Sequence, residues 1–278
     1  MDEPKDPVRR QIALNRSVAG NWELFALHRQ RTTDLIVSAA GADPRSLCVL
    51  GAGNCNDLDL RRLLGTFAHV DLIDLDLDAM RAGVRRQAVP DDRIGMRRDD
   101  LSGVADRLRR WSEAPPTNDE IDRWLLELED DPPPVMADRV TADVAVSAGL
   151  LSQMTGMTTR ILGLDHPRAV EVALALRDAH LRHLVRLVAS PGAGLVITDI
   201  ASPSMLDRVD ASHLAALTDR LVRSGQVTTG TNPLGIETFL RAVGENVSDV
   251  RRHDPWTWRV TATKSQLVVA ISFRRAPA

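Results

Sequence analysis

The stretch Ser46 to Met80, SLCVLGAGNCNDLDLRRLLGTFAHVDLIDLDLDAM, decides the fold. An apolar run, Leu47 to Leu50, meets a glycine turn, and a second apolar run ends in carboxylates. It reads as strand, tight turn, helix, strand, acid. The first run is short and β-compatible, as expected for a parallel strand buried on both faces. Gly51 and Gly53 follow at once. Glycine there lets the backbone turn sharply and approach a ligand closely, while free N–H groups of the next helix face the loop. From Gly53 to Asp74 is 21 residues, close to the spacing of roughly 20 that puts an acid at the tip of the next strand, facing a ribose. The turn is therefore read as the seat of a nucleoside cofactor.

Two cofactor classes share that geometry. A dinucleotide fingerprint asks for Gly or Ala three residues after Gly53, where Asn56 stands. The chain here resembles the class I S-adenosylmethionine-dependent methyltransferases, whose first motif is a hydrophobic strand followed by G-x-G-x-G. In LCVLGAGNCND, Cys55 takes the third glycine's place, and Val49 stands where many members carry an acid. The resemblance implies donor contacts at Gly51, Ala52 and Gly53. It implies that Asp74, with Leu75 beside it and Asp76 as the next candidate, accepts hydrogen bonds from the ribose hydroxyls. RIGMRRDDLSG supplies Asp99 and Asp100 near the adenine amino group, and the D-L-S-G form favours Asp100, followed by Leu101. The fourth strand, in ADVAVSAGLLSQM, ends with Ser147 and Ala148 beside the donor; the fifth, in GLVITDIAS, ends with Asp199.

The implied architecture is an α/β, Rossmann-like, seven-stranded, mostly parallel sheet with an antiparallel C-terminal strand and helices on both faces. A helical cap is expected over 1–45 and the donor-binding domain over 46–278, with an insertion at 104–140. The implied cofactor is S-adenosylmethionine, with S-adenosylhomocysteine as product.

Composition narrows the partners. The 278 residues are 44% hydrophobic and 26% charged, with 35 basic and 38 acidic side chains for a net charge of −3. No global charge draws the chain toward nucleic acid or an anionic membrane. The N-terminal MDEPKDPVRRQ has no apolar core, and no stretch approaches the 18 or so apolar residues of a span, so the expectation is a cytoplasmic protein. Cys48 and Cys55 do not suggest a disulfide framework.

Before the first strand, Trp22, Leu24, Phe25, Leu27 and His28 crowd a helix-compatible segment, read equally as a cap over the cofactor or as packing. From Val104 to Val140, ten acids stand against five bases. Pro115-Pro116 and Pro132 to Pro134 bracket a helix with Ile121, Trp124, Leu125 and Leu128 at helical spacing. A solvated excursion is the favoured reading over a lid. Past the fourth strand, two helices follow; Val170, Leu174, Leu181, Leu184 and Leu187 mark the second one's apolar face, and Pro191, Gly192 and Gly194 are expected to break it. His180 and His183 have metal-ligand spacing but no acidic or thiol partner nearby, so they read as a solvated pair and no metal site is expected. Helices over 213–222 and 236–243 precede two strand-like runs, WTWRVTA and QLVVAISFRR. A closing antiparallel pair suits the methyltransferase sheet; a dinucleotide fold ends in a parallel strand.

Methyl transfer requires a nucleophile held in line with the donor, and no nucleophilic side chain of the protein. For a hydroxyl acceptor, the candidate general bases are His28, His166 and Asp199. Trp256 and Trp258 alternate on a strand and share a face, lining an acceptor pocket or packing the sheet. The expected acceptor is a small molecule methylated on oxygen or nitrogen. An NAD-dependent oxidoreductase, an aminopropyl transferase and a non-catalytic S-adenosylmethionine-binding module remain as alternatives. The sequence does not indicate an oligomeric state.

Overall fold

Short continuous apolar runs, the signature of strands buried on both faces, with successive side chains turned to opposite faces, organise the structure. It is a computed structural model that describes residues 6–130, 141–163, 165–201, 213–244 and 246–277. The strands are β1 (Ser46–Leu50), β2 (His69–Asp74), β3 (Ile94–Arg98), β4 (Ala142–Ala148), β5 (Val188–Ala201), β6 (Val247–Arg252), β7 (Trp256–Arg259) and β8 (Ser265–Arg275). Their order is β3-β2-β1-β4-β5-β8-β6, with β7 also on β8. The first five are parallel. β8 is antiparallel to both β5 and β6, and so inserts between two strands of common direction.

The described residues place eight strands in the sheet where seven were expected. β6 opposes the end of β8 and β7 opposes its beginning, so the two lie end to end along one edge, separated at His253 to Pro255. WTWRVTA is a strand only as far as Arg259. Val247–Arg252 escaped the sequence reading because VSDVRR has no apolar alternation and is largely exposed, the character of a charged edge strand.

Among the described residues, ten helices surround the sheet: α1 (Pro7–Val18), α2 (Ala26–Ala39), α3 (Leu60–Thr66), α4 (Leu77–Gln87), α5 (Ala105–Glu113), α6 (Asn118–Asp130), α7 (Leu150–Leu162), α8 (Ala169–Leu187), α9 (Leu214–Ser224) and α10 (Pro233–Ala242). Asp6, Asp59, Asp76 and Asn232 cap α1, α3, α4 and α10 by accepting a backbone N–H of the first turn. On one sheet face, Leu47, Val49, Val146 and Leu195 pack against Ile36 of α2 and Leu60 and Leu63 of α3. On the other, Cys48, Leu50, Ala145 and Val196 meet Leu181 and Leu184 of α8 and Ile236 of α10. This alternation assigns the strand-end residues: Asp74, Ala148 and Asp199 continue the first face, and Ser147 the second.

Two helical segments differ from expectation. α5 and α6 are no solvated excursion: Leu108, Trp111, Ile121, Trp124 and Leu128 are buried with Val172 and Leu176 of α8, and the two indoles meet edge to face at 5.1 Å. Pro132 to Pro134 lie outside the described residues. In α8, Val170 is exposed and Val172, Ala173, Leu176 and Ala179 are buried instead. His180 and His183 are buried as well, which corrects the solvated reading. β5 begins directly after α8 and runs through Pro191, Gly192 and Gly194, which therefore lie in the strand rather than in a break before it. Among the described residues, no helix is long and apolar enough to cross a membrane.

Candidate functional site

β1 has β2 on one side and β4 on the other. Their connections leave in opposite directions, which opens a crevice at the carboxyl ends of the strands. The loop after β1 sits in it, pinned by the N–H groups of Gly51 and Ala52, which donate to Ile73 O at 2.9 and 3.3 Å. Each glycine answers a specific crowding. Gly51 has φ +81°, and a Cβ there would lie 2.8 Å from Ala148 O, so the close neighbour is the end of β4. Gly53 has φ +46°, and its Cβ would meet Asn15 Oδ1 of α1 at 3.3 Å. Cys55, at the third position, is buried and holds φ +52° without being glycine. The room it needs comes from α4, where a Cβ on Gly83 would collide with the Asn54 backbone and Cys55 Cβ.

Asp74 ends β2 beneath this loop. Its Oδ2 accepts from Gly53 N and its Oδ1 from Asp76 N, both at 2.9 Å. Burial pushes its carboxyl above the ordinary carboxylate range, against the pull of these two amides and of Asn15. Asp76 is engaged in capping α4 through Ala79 N at 3.0 Å, and its other oxygen accepts from Asn15 Nδ2 at 3.4 Å. Asp100 closes a turn: Oδ1 accepts from Ser102 N at 3.0 Å and from Ser102 Oγ, and Oδ2 from Ala105 N at 2.8 Å.

Two recesses meet at Asp74. The first is an apolar slot whose walls include Leu75, Leu101, Leu150, Met154 and Met157, with Asp99 and Asp100 at its edge. The second is a cavity of about 320 Å³ bounded by Gly51 to Asn54, Ala148 and Gly149, and across from them by Asp199, Trp258, Lys264 and Gln266. Its size falls within the usual range for small-molecule sites, roughly 300–1,000 Å³. Gln11 of α1 and Gln153 of α7 line both recesses.

Sequence reasoning missed how much of this site α1 and the turn after it build. Gln11 Nε2 donates to Asn15 Oδ1 at 3.4 Å, and Asn54 Nδ2 to Asn15 O at 2.5 Å. Asn56 is buried between segments: its Nδ2 donates to Val18 O at 2.9 Å, and its Oδ1 and O accept from Arg86 and Arg29. The Arg29 guanidinium lies 3.5 Å above the Trp22 ring. The one available signal was the pair of uncharged polar residues Gln11 and Asn15 at i, i+4 on a helix.

The other expected residues divide. Ala148 lines the cavity, but Ser147 is turned to the opposite sheet face, where its Oγ and His180 Nε2 are 2.8 Å apart. Burial holds His180 down at about 4. His28 does not line the cavity: it is buried, its Nδ1 accepts from Trp256 Nε1 at 2.9 Å, and its ring stacks on Trp258 at 4.5 Å. Burial and the neighbouring Arg29 keep it neutral, at about 3, so it is unsuited to act as a base. His166 lines neither recess, and its Nδ1 accepts from Arg168 N at 3.2 Å. Only Asp199 of the three base candidates reaches the cavity, with one oxygen accepting from Ser152 Oγ and burial raising its carboxyl. Trp256 is buried in the packing, whereas Trp258 both packs and lines the cavity. Among the described residues, no cluster of three or more His, Cys, Asp or Glu side chains is placed to hold a metal ion.

No protein-family model matches the sequence. No curated protein matches it. Among solved structures, the chain is similar to an O-methyltransferase family protein from Burkholderia thailandensis, at 16% identity and a TM-score of 0.49, over 97% of this chain and 60% of that one. It is similar to the N-methyltransferase NodS from Bradyrhizobium japonicum WM9 in complex with S-adenosyl-L-homocysteine, at 11% identity and a TM-score of 0.47, over 91% of this chain and 87% of that one. Human N-acetylserotonin methyltransferase in complex with SAM is 13% identical at a TM-score of 0.44, over 97% of this chain and 57% of that one. The chain thus spans about three fifths of the length of the first and third of these. From its own strand order, with five parallel strands and an antiparallel β8 inserted before β6, the chain has the Rossmann-like fold of the class I methyltransferases.

Proposed function

We propose that this chain binds S-adenosylmethionine and transfers its methyl group to a small-molecule oxygen or nitrogen acceptor, releasing S-adenosylhomocysteine. One observation carries the reading: a buried carboxylate, Asp74, fixed under a glycine loop where an apolar slot and a polar cavity meet. The residues fit the donor. The Asp74 oxygens accept one backbone N–H each, and the carboxyl also takes a bond from Asn15, which leaves it a further lone pair for a ribose hydroxyl. The slot between Leu75, Leu101 and Met154 suits a flat apolar base, with Asp100 at its edge for an amino group. Gly51, Ala52, Gly53, Ala148 and the α1 amides face the space left for the amino-acid end. Residues 1–45 then act as a cap, since α1 supplies Gln11 and Asn15 to this wall.

Bound, the donor supplies an electrophilic methyl group on a sulfonium. The protein's part is to hold an acceptor atom in line with that methyl and to keep water out. The nicotinamide alternative is disfavoured by the antiparallel β8 and by Asn56 at the fingerprint's last position. Titration with S-adenosylmethionine, S-adenosylhomocysteine and NAD in parallel tests the reading. Binding of the two sulfur compounds alone supports it; binding of NAD alone replaces it with an oxidoreductase.

A further inference from the structure

Four buried polar atoms without a hydrogen-bond partner, Asp57 Oδ1, Gln153 Oε1, Trp258 Nε1 and Gln266 Oε1, belong to side chains lining the 320 Å³ cavity. A buried polar atom left unpaired is costly and rare in a native fold. Their concentration in one cavity marks them as waiting for a ligand, and three of the four are acceptors.

The wall they form is continuous. Trp256 Nε1 donates to His28 Nδ1, so the imidazole proton sits on Nε2, which lies 3.6 Å from Asp57 Oδ1. That distance is too long for a hydrogen bond, so His28 steadies Asp57 without occupying its lone pairs. The same ring stacks on Trp258, which stands opposite Gln266 across the β7–β8 pair. Two residues further along β8, Val268 stands opposite Asp199. Opposed residues and residues two apart share a sheet face, so Trp258, Gln266 and Asp199 present their side chains on the same side. Asp199 has one oxygen held by Ser152 Oγ. Burial raises both carboxyls, that of Asp57 to about 7.

We propose that this wall is an amine site, where Asp57, Gln266 and Asp199 receive the N–H groups of a primary or secondary amine whose nitrogen is the methylated atom. The proposal rests on the methyl-transfer reading and narrows its acceptor. A hydroxyl donates one hydrogen bond and leaves the remaining acceptors orphaned, whereas a secondary ammonium donates two and a primary ammonium three. The step balances as follows: a carboxylate takes a proton from the ammonium, and the freed nitrogen lone pair forms the N–C bond. The methyl–sulfur bond breaks with its electron pair going to sulfur, and the product leaves as a methylated ammonium. Lys264 also lines the cavity, and its charge acts on Asp199, as that of Arg29 acts on Asp57.

The test uses matched probes, tryptamine with tryptophol and phenethylamine with 2-phenylethanol, titrated into the full chain with and without S-adenosylhomocysteine. The amine of each pair should bind at least about tenfold more tightly than its alcohol. Asp57→Asn and Asp199→Asn, nearly isosteric and checked for folding by thermal melting, should each lose about tenfold or more in amine affinity and keep that for S-adenosylhomocysteine. Equal binding of amine and alcohol, binding of neither, or amine binding unaltered in both variants overturns the amine site. Failure of the unaltered chain to bind S-adenosylhomocysteine overturns the donor reading instead, and the amine preference is then read from the titrations without it.

Discussion

The two halves of the sheet's carboxyl edge are built differently. At the ends of β2 and β3 the acids are already engaged: Asp74 by Gly53 and Asp76, Asp76 by the first turn of α4, and Asp100 by Ser102 and Ala105. Around β5, β7 and β8, polar atoms of Trp258 and Gln266 are buried with no partner. The first half is preorganised, its carboxylates held by the backbone before any ligand arrives. The second is completed only by what it binds, so disturbing each half should have separable consequences.

The largest effect is expected at the seam between them. Gly51→Val places a branched side chain at φ +81° and against Ala148 O, and should cost about 3 kcal/mol or more of stability in urea denaturation. A loss under about 1 kcal/mol would show that β1 and β4 do not need that approach. Asp74→Ala comes next. It removes the carboxylate proposed to hold the ribose and should weaken S-adenosylhomocysteine binding by at least about tenfold, leaving amine binding without donor intact. A parallel loss of both affinities would erase the distinction between the halves.

A smaller effect is expected from Asp57→Asn, read against pH. The Asp57 carboxyl is raised from 3.8 to about 7 by burial. Between those values the folded chain keeps a proton that the unfolded chain has released. This group therefore lowers stability as pH rises, by up to about 1.4 kcal/mol per pH unit, and adds no further change above 7. Denaturation at pH 5, 6, 7 and 8 should show the variant gaining on the unaltered chain up to pH 7 and then running parallel to it. His28, lowered to about 3, has the opposite sign, and the difference between the two chains removes it. A gap independent of pH would mean that Asp57 is ionised throughout. The smallest effect is expected for His166→Ala, which should change neither donor nor amine affinity; a loss of either would bring the loop before α8 into the site.

The contrast between the halves also explains what could be read in the sequence. The half proposed to hold the donor rests on short-range geometry, a strand, a turn and an acid within Ser46 to Asp74, so Gly51, Gly53 and Asp74 were visible as a pattern. Asp199 was legible as a strand end. Gln266, Trp258 and Asp57 come together only through β8 pairing antiparallel with β5 and β7 and through His28 stacking from a helix more than two hundred residues away in sequence. No local spacing encodes that. Ser147 was misplaced by one step of strand parity, which turns a side chain to the other face. His180 and His183 were misread because a histidine's exposure depends on what packs over it, and α8's approach to β4 is not encoded by sequence neighbours.

Whether Asp74 anchors a nucleoside donor under the glycine loop is decided by isothermal titration of the full chain and of Asp74→Ala with S-adenosylhomocysteine, alongside NAD. The unaltered chain should bind S-adenosylhomocysteine at micromolar concentration, the variant at least about tenfold more weakly, and neither should bind NAD. Equal binding of S-adenosylhomocysteine by the two chains, or binding of NAD alone, would contradict that anchoring.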